Sequence, residues 1–127
     1  MSDLVLDNSA AIQFSAGSSP DEETTQYYAP ELIDLEYANA LRKLVIRDEV
    51  TPEEARSYLQ EWAGNALIRC SHAMLLPRIW ELRDTITPWD AAYVALAEIL
   101  DVPLVTADRR LARAASAYCE VVTVGGA

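Results

Sequence analysis

Four carboxylates stand at positions where an acidic residue can serve chemistry as well as folding: Asp7, Glu36, Asp90 and Asp108. Carboxylate oxygens are the ligands that Mg²⁺ and Mn²⁺ prefer, and such a site needs no histidine or cysteine. One or two of these ions, ~4 Å apart where there are two, activate a water molecule and stabilise the leaving oxygen of a phosphodiester. If the four side chains converge, phosphodiester hydrolysis is the chemistry they suit.

Two of these acids follow apolar runs that predict strands. LVLD (4–7) ends in Asp7, and PLVTA (103–107) precedes Asp108. Sites in open parallel sheets form beyond the carboxyl ends of the strands, so the two acids can lie side by side. An acid after a strand is also a good N-cap for the next helix, which would explain either position without any chemistry.

Polar neighbours accompany both strand-end acids. Ser9 and Thr106 each lie two residues from one of them. Their hydroxyl groups are candidates either for the same pocket or for simple capping of the backbone.

Asp90 begins the apolar helix predicted for TPWDAAYVALAE (87–98). Thr87 is a suitable N-cap, proline fits the first helical position, and an acid in the first turn suits the helix dipole. The same pattern occurs at 19–22 and at 51–54. Taken alone, this pattern favours a helix-start role over a ligand role for Asp90.

Glu36 is the acid that a purely structural role explains least well. At helical spacing its neighbours include Leu32, Ile33 and Ala40, so it lies on a largely apolar side. A buried carboxylate needs a cation, a hydrogen-bond donor or a metal. Arg42 or Lys43 are candidates for a structural pairing, and the sequence leaves pairing and function equally open.

Composition and charge limit the remaining possibilities. The 127 residues predict one domain, 1–127, and about half of them are apolar. The longest charge-free stretch, 8–20, is too short for a membrane span, and the N-terminus lacks a secretory pattern, so we expect a cytoplasmic protein. The net charge of −10 argues against a general nucleic-acid-coating protein.

The basic residues are nevertheless clustered. Eight of ten lie in three short neighbourhoods, each near a candidate acid: Arg42, Lys43 and Arg47; Arg78 and Arg83; Arg109, Arg110 and Arg113. Solvated helix faces are the ordinary explanation for such residues. Cys70 and Cys119 are expected to be free thiols, and the lone His72 a hydrogen-bonded structural residue.

Strand and helix patterns alternate along the chain. Strands are predicted at 4–7, 66–70, 103–107 and 119–124, and a helix begins at 9–14 before a Gly/Ser/Pro break at 15–20. Further helices are predicted at 21–28, 31–46 (mostly buried), 51–64, 75–84, 87–100 and 109–117. The pattern predicts a three-layer α/β/α sandwich with a central parallel sheet.

Four segments together resemble the PIN-domain nucleases, and within them the VapC-type toxins of type II toxin–antitoxin modules. The segments are LVLDNSA, LIDLEYANALRKL, LRDTITPWDAAYVALAE and VPLVTADRRLARA. The resemblance covers essentially the whole chain in the family's order, and its last two segments are highly specific. It assigns the family's metal-binding and catalytic acids to Asp7, Glu36, Asp90 and Asp108.

The resemblance implies a Mg²⁺- or Mn²⁺-dependent endoribonuclease that cleaves structured RNA, either tRNA or rRNA. It also implies a homodimer, a cognate VapB-like antitoxin, and contact with DNA only through that antitoxin. Asn8 replaces a residue that is usually small, within reach of a metal-bound water, and segment 15–30 is shorter and more acidic than in the family.

Two other functions remain open on the sequence. A PIN nuclease acting on DNA would use the same acids, and a non-catalytic PIN-like binding module would lack at least one of them, which this chain does not. A phosphatase with an aspartyl nucleophile would require an acid where Ser9 stands.

Overall fold

The computed structural model describes residues 2–15 and 25–125, in which five strands and six α-helices alternate. The strands are β1 (Ser2–Leu6), β2 (Thr25–Pro30), β3 (Ile68–Cys70), β4 (Leu104–Thr106) and β5 (Val121–Thr123). The helices are α1 (Asn8–Ser15), α2 (Ile33–Ile46), α3 (Pro52–Ala63), α4 (Leu76–Glu81), α5 (Pro88–Leu100) and α6 (Arg109–Ala115), with a 3-10 turn at Ala73–Leu75 before α4.

All five strands run parallel in the order β3-β2-β1-β4-β5. The chain builds the sheet outward from β1 on one side and then returns to add β4 and β5 on the other. The carboxyl ends of β1 and β4 therefore meet where the strand order reverses, which is where open α/β sheets form their binding crevice. Helices flank this sheet, and the predicted three-layer α/β/α architecture is confirmed.

Helix α5 lies at the centre of the hydrophobic core. Its residues 91–97 are all buried, and the helix packs against β1, β2 and β4. Such uninterrupted burial requires an apolar, alanine-rich sequence, because there is no solvent-facing side to place charges on. The packing fixes the first turn of α5 at the mouth of the crevice.

The second strand differs from the prediction. The sequence pattern predicts a short helix at 21–28, but residues 25–28 belong to β2 and pair in register with β1 from Ser2↔Thr25 to Val5↔Tyr28. Its threonine and paired tyrosines favour an extended, half-buried strand, and sheet pairing overrides the helix-start pattern. The predicted cap at Ser19 lies outside the described residues.

Helix α2 is less buried than predicted. Only Ile33, Tyr37 and Leu41 are buried along it, whereas Leu35 and Ile46 are largely exposed. The buried side chains repeat every four residues, so α2 is an amphipathic helix packed along one side.

The predictions for His72 and for the two cysteines are confirmed. His72 Nε2 accepts a hydrogen bond of 3.0 Å from the Leu32 backbone N–H, so this histidine is a structural residue that holds the start of α2. Cys70 and Cys119 are free. In the described residues no helix is both long and apolar enough to cross a membrane.

Candidate active site

The two strand-end acids lie next to each other, as the parallel-sheet pattern predicts. Asp7 follows β1 directly, and Asp108 follows β4 by two residues. The backbone joins the two strand ends, since Asp7 N–H donates to the Val105 carbonyl at 3.1 Å. The charge of Asp108 is among the causes that raise the pKa of Asp7, so the two carboxylates share one field.

Asp7 is buried and held by a dense set of hydrogen bonds. Its Oδ2 accepts from Thr106 Oγ1 at 2.6 Å, and its Oδ1 accepts from Ser9 Oγ at 2.8 Å and from the Ala10 N–H at 2.9 Å. Burial raises the pKa of Asp7, and these donors oppose the rise because they stabilise the charged form. Asp7 therefore both caps α1 and lies in the crevice, and the two explanations offered by the sequence are compatible.

Ser9 and Thr106 bridge the two strand ends. Their hydroxyl oxygens are 3.1 Å apart. Ser9 Oγ accepts from the Ala107 N–H at 2.8 Å, and Thr106 Oγ1 accepts from the Asp108 N–H at 3.0 Å. The hydroxyl pair thereby fixes both the Asp7 carboxylate and the backbone that carries Asp108.

Asp108 divides its two oxygens between folding and the crevice. Oδ1 caps α6 by accepting from the Arg110 and Leu111 N–H groups at 2.9 and 3.2 Å. Oδ2 faces the Arg110 guanidinium, whose Nη2 lies 3.5 Å away. One carboxylate oxygen therefore remains available to a cation.

Asp90 does not behave like the acid in the matching helix start at residues 51–54. In α3 the capping box is complete, because Glu54 Oε1 accepts from the Thr51 N–H at 2.9 Å while Thr51 accepts from the Glu54 N–H. In α5 only Thr87 caps, and the Asp90 carboxylate instead contacts Arg110 Nη2 at 2.9 Å. The carboxylate of Asp90 is therefore not a cap, although its sequence context is that of one.

Glu36 is satisfied by a residue that the sequence analysis did not single out. Tyr93 Oη donates to Glu36 Oε1 at 2.5 Å, so neither Arg42 nor Lys43, the partners considered from sequence, takes this role. Burial raises the pKa of Glu36, the tyrosine hydrogen bond opposes that rise, and the charges of Asp7 and Asp90 add to it. Burial also raises the pKa of Tyr93 far above its usual range, which keeps its proton in place as a donor.

These couplings place all four acids in one electrostatic neighbourhood. The charges of Asp7 and Asp90 raise the pKa of Glu36, and the charge of Asp108 raises the pKa of Asp7. Uncompensated negative charge is costly in a partly buried site, so the cluster favours a bound cation. Arg110 already provides one positive charge to Asp90 and Asp108.

The four carboxylates offer the oxygen ligands that a hard divalent cation prefers. Among the described residues, however, no three Asp, Glu, His or Cys side chains are arranged closely enough to hold an ion as they stand. The same acids are turned toward Tyr93, Arg110 and the two hydroxyls. In the described part of the chain the buried Oδ1 of Asn8, the residue after Asp7, accepts no hydrogen bond. Asp7, Glu36, Asp90 and Asp108 are the candidates to hold an ion, and their side chains would have to rearrange to do so.

Known proteins of the same kind match nearly the entire chain. Ribonuclease VapC9 of Mycobacterium tuberculosis (strain ATCC 25618 / H37Rv) is 37% identical over 124 residues, which cover 95% of this chain and 98% of the relative. Ribonuclease VapC1 of the same strain is 37% identical over 132 residues, with coverage of 98% and 99%. The chain belongs to the VapC family. No protein-family model matches the chain of this VapC protein.

Two solved structures share the fold of this chain although their sequences are only distantly similar to it. PAE2754 from Pyrobaculum aerophilum superposes with a TM-score of 0.73 at 23% identity, covering 97% of this chain and 91% of that one. VapBC2 from Rickettsia felis, bound to a DNA fragment from its promoter, gives a TM-score of 0.70 at 13% identity, covering 97% and 99%. The predicted PIN-like architecture is thus found in proteins with little sequence in common.

Two residues of the candidate site, Tyr93 and Arg110, are not singled out by the sequence patterns. Tyr93 lies three positions after Asp90, one helical turn along the same side of α5, and a buried tyrosine needs a partner for its hydroxyl group. The sequence places Arg110 only in a basic cluster, whereas in the structure it contacts two of the four acids. The apolar surroundings of Glu36 were the signal that a donor such as Tyr93 had to exist.

The basic neighbourhoods of this VapC protein separate into structural and exposed residues. Arg78 forms a two-pronged pair with Glu98, at 2.8 and 3.0 Å, and is therefore structural. Arg83 stacks over the Trp80 ring. Arg109 and Arg113 are exposed on α6 and form no ion pair with any described residue.

Proposed function

We propose that this VapC protein is an endoribonuclease toxin that cleaves structured RNA, tRNA or rRNA, at the crevice between β1 and β4. The observation that carries the proposal is the convergence of Asp7 and Asp108 on that crevice, with Glu36 and Asp90 in the same field, in a chain 37% identical to proteins named ribonucleases. A non-catalytic module would have no need to keep four mutually repelling acids together, since each costs folding stability.

Mg²⁺ or Mn²⁺ is the proposed cofactor, held by Asp7, Glu36, Asp90 and Asp108. Such an ion, when bound, supplies activation of water and stabilisation of charge on the phosphate and the leaving oxygen. The oxygen-only donor set supports a hard cation. The buried, unsatisfied Oδ1 of Asn8, next to Asp7 in sequence, is a candidate acceptor for a water bound to that ion.

The protein's own residues hold and orient the reacting groups. Thr106 and Ser9 fix Asp7, and Tyr93 fixes one oxygen of Glu36 while leaving Oε2 without a hydrogen bond from any described residue. Burial raises the pKa of Glu36, which makes this oxygen a better proton acceptor for an attacking water than an exposed carboxylate would be. Asp90 and Asp108 both contact Arg110 of α6, and the exposed Arg109 and Arg113 of the same helix would attract RNA phosphates.

A cognate VapB-like antitoxin is the proposed partner, and this VapC protein is proposed to form a homodimer in the cytoplasm. The R. felis structure is of a VapBC2 complex on promoter DNA, which supports pairing with an antitoxin in a related fold. The net charge of −10 fits a protein that meets DNA only through such a partner.

The test is sequencing of RNA 5′ ends after induced expression of the wild type beside Asp7→Asn. New ends at a small number of defined sites, present with the wild type and absent with the variant, support a specific endoribonuclease. Growth arrest without new RNA ends, or identical ends with both proteins, overturns the proposal.

A further inference from the structure

Arg110 occupies the mouth of the acidic site. Its Nη2 lies 2.9 Å from Asp90 Oδ2 and 3.5 Å from Asp108 Oδ2, so one nitrogen faces two carboxylates that come from different elements. Asp90 lies in the first turn of α5, and Asp108 is the N-cap of α6. The guanidinium therefore offsets the repulsion between these two acids.

The pair is exposed enough to exchange. The Arg110 side chain is 65% exposed, whereas those of Asp90 and Asp108 are 19% and 37% exposed. Ion pairs that involve an exposed arginine are weak, because water competes for the guanidinium and its long side chain loses freedom when it is held. A doubly charged ion at the same carboxylates would outcompete a single positive charge.

The position of Arg110 in its helix keeps it close to the site after release. It lies in the first turn of α6, and its own backbone N–H is held by Asp108 Oδ1 at 2.9 Å. The backbone would stay in place while the side chain turns away. The two roles of Asp108, cap through Oδ1 and ion-pair partner through Oδ2, are thus separable.

We propose that Arg110 is an exchangeable internal counter-cation of the VapC site, which occupies Asp90 and Asp108 without metal and must leave them before a divalent cation binds. Arg110 thereby lowers the affinity of the protein for the ion, and it stabilises the metal-free acids. This inference rests on the proposed metal site.

The experiment is calorimetric titration of Mn²⁺ into the RNA-free protein, comparing the wild type with Arg110→Gln. Arg109→Gln is the matched control, because it removes the same charge from the neighbouring position and contacts no acid among the described residues. We expect Arg110→Gln to bind Mn²⁺ about threefold more tightly or better, since an exposed pair contributes only a small competing term. Arg109→Gln should stay within about 1.5-fold of the wild type, by general charge alone.

Thermal melts provide a second readout independent of cleavage. In EDTA, Arg110→Gln should melt below the wild type because its acids repel without compensation, and the Mn²⁺-induced rise in melting temperature should be larger. Equal Mn²⁺ affinities for the two variants, or weaker binding by Arg110→Gln, overturn this inference while leaving the metal site intact. No Mn²⁺ binding by any of the three proteins contradicts the proposed metal site, and this inference with it.

Discussion

Thr106 Oγ1 donates a hydrogen bond of 2.6 Å to Asp7 Oδ2, across 99 positions of sequence. The bond joins the carboxyl ends of β1 and β4 and fixes the most buried acid of the site. Thr106 is itself fully buried, so its hydroxyl group cannot form a hydrogen bond with bulk water instead. Folding of the sheet and alignment of the site therefore depend on the same hydrogen bond.

Thr106→Val tests that hydrogen bond with a side chain of nearly the same shape. Because the variant removes a donor from a buried carboxylate, we expect the free energy of unfolding to fall by about 2 kcal/mol. The pKa of Asp7 should rise further, since the hydrogen bond stabilises its charged form. Urea unfolding and carboxyl ¹³C titration in EDTA measure the two effects. Thr123→Val, on the exposed neighbouring strand, is the control. An unchanged pKa of Asp7 in Thr106→Val would contradict the role given to the Thr106–Asp7 hydrogen bond.

Tyr93→Phe tests the positioning of Glu36. The variant keeps the ring in the core and removes only the donated hydroxyl group, so cleavage should fall by roughly 10- to 100-fold, as for groups that orient a metal ligand. Because the hydrogen bond that the variant removes lowers the pKa of Glu36, that pKa rises, and the acid limb of the pH–rate profile should move to higher pH. A purely structural tyrosine would leave the limb in place. Tyr58→Phe, on α3, is the matched control.

Asp90→Asn separates a helix cap from a ligand. Asparagine keeps the shape and loses the charge, so we expect near-complete loss of cleavage. The free energy of unfolding should change by no more than ~1 kcal/mol, the scale of the lost ion pair with the exposed Arg110. Glu54→Gln alters the acid of the complete capping box and should leave cleavage unchanged. Cleavage rates and thermal melts of both variants decide the matter, and near wild-type turnover in Asp90→Asn would show that the site is wrongly assigned.

The exposed arginines of α6 should guide RNA by charge. Replacing Arg109 and Arg113 together with glutamine should weaken RNA binding and reduce the slope of log affinity against log salt by roughly 1 for each phosphate that is no longer neutralised. The measurement uses an Asp7→Asn background so that the RNA stays intact. Arg56→Gln, on exposed α3, should leave the slope unchanged. If the double variant also keeps the wild-type slope, these arginines are ordinary solvated helix residues.

Much of this arrangement could be predicted because it depends on local sequence. Buried strands read as apolar runs, and the rule for parallel sheets then brings Asp7 and Asp108 together. The second strand could not be predicted, because TQYY follows a helix-start pattern and only pairing with β1 decides its state. Local patterns respond to neighbours in sequence, whereas strand pairing responds to neighbours in space.

The partners of the acids were also beyond local reasoning. Asp90 and Glu54 follow the same Thr-Pro pattern, yet one pairs with Arg110 from α6 and the other caps its own helix. The donor to Glu36 comes from a helix that is distant in sequence, so a search among its helical neighbours found Arg42 and Lys43 instead of Tyr93. Residues that satisfy a buried charge are selected by the tertiary fold.

In the proposed mechanism the four acids cleave RNA only with a bound divalent cation. The direct measurement is the cleavage of a structured RNA by the purified protein with Mg²⁺ or Mn²⁺, with EDTA, and with Asp7→Asn purified in parallel to exclude contaminating ribonuclease. We predict cleavage by the wild type with either ion, none in EDTA, restoration when the ion is returned, and none by Asp7→Asn under any condition. Cleavage by the wild type in EDTA that equals its cleavage with Mg²⁺ would show that the acids act without a metal ion.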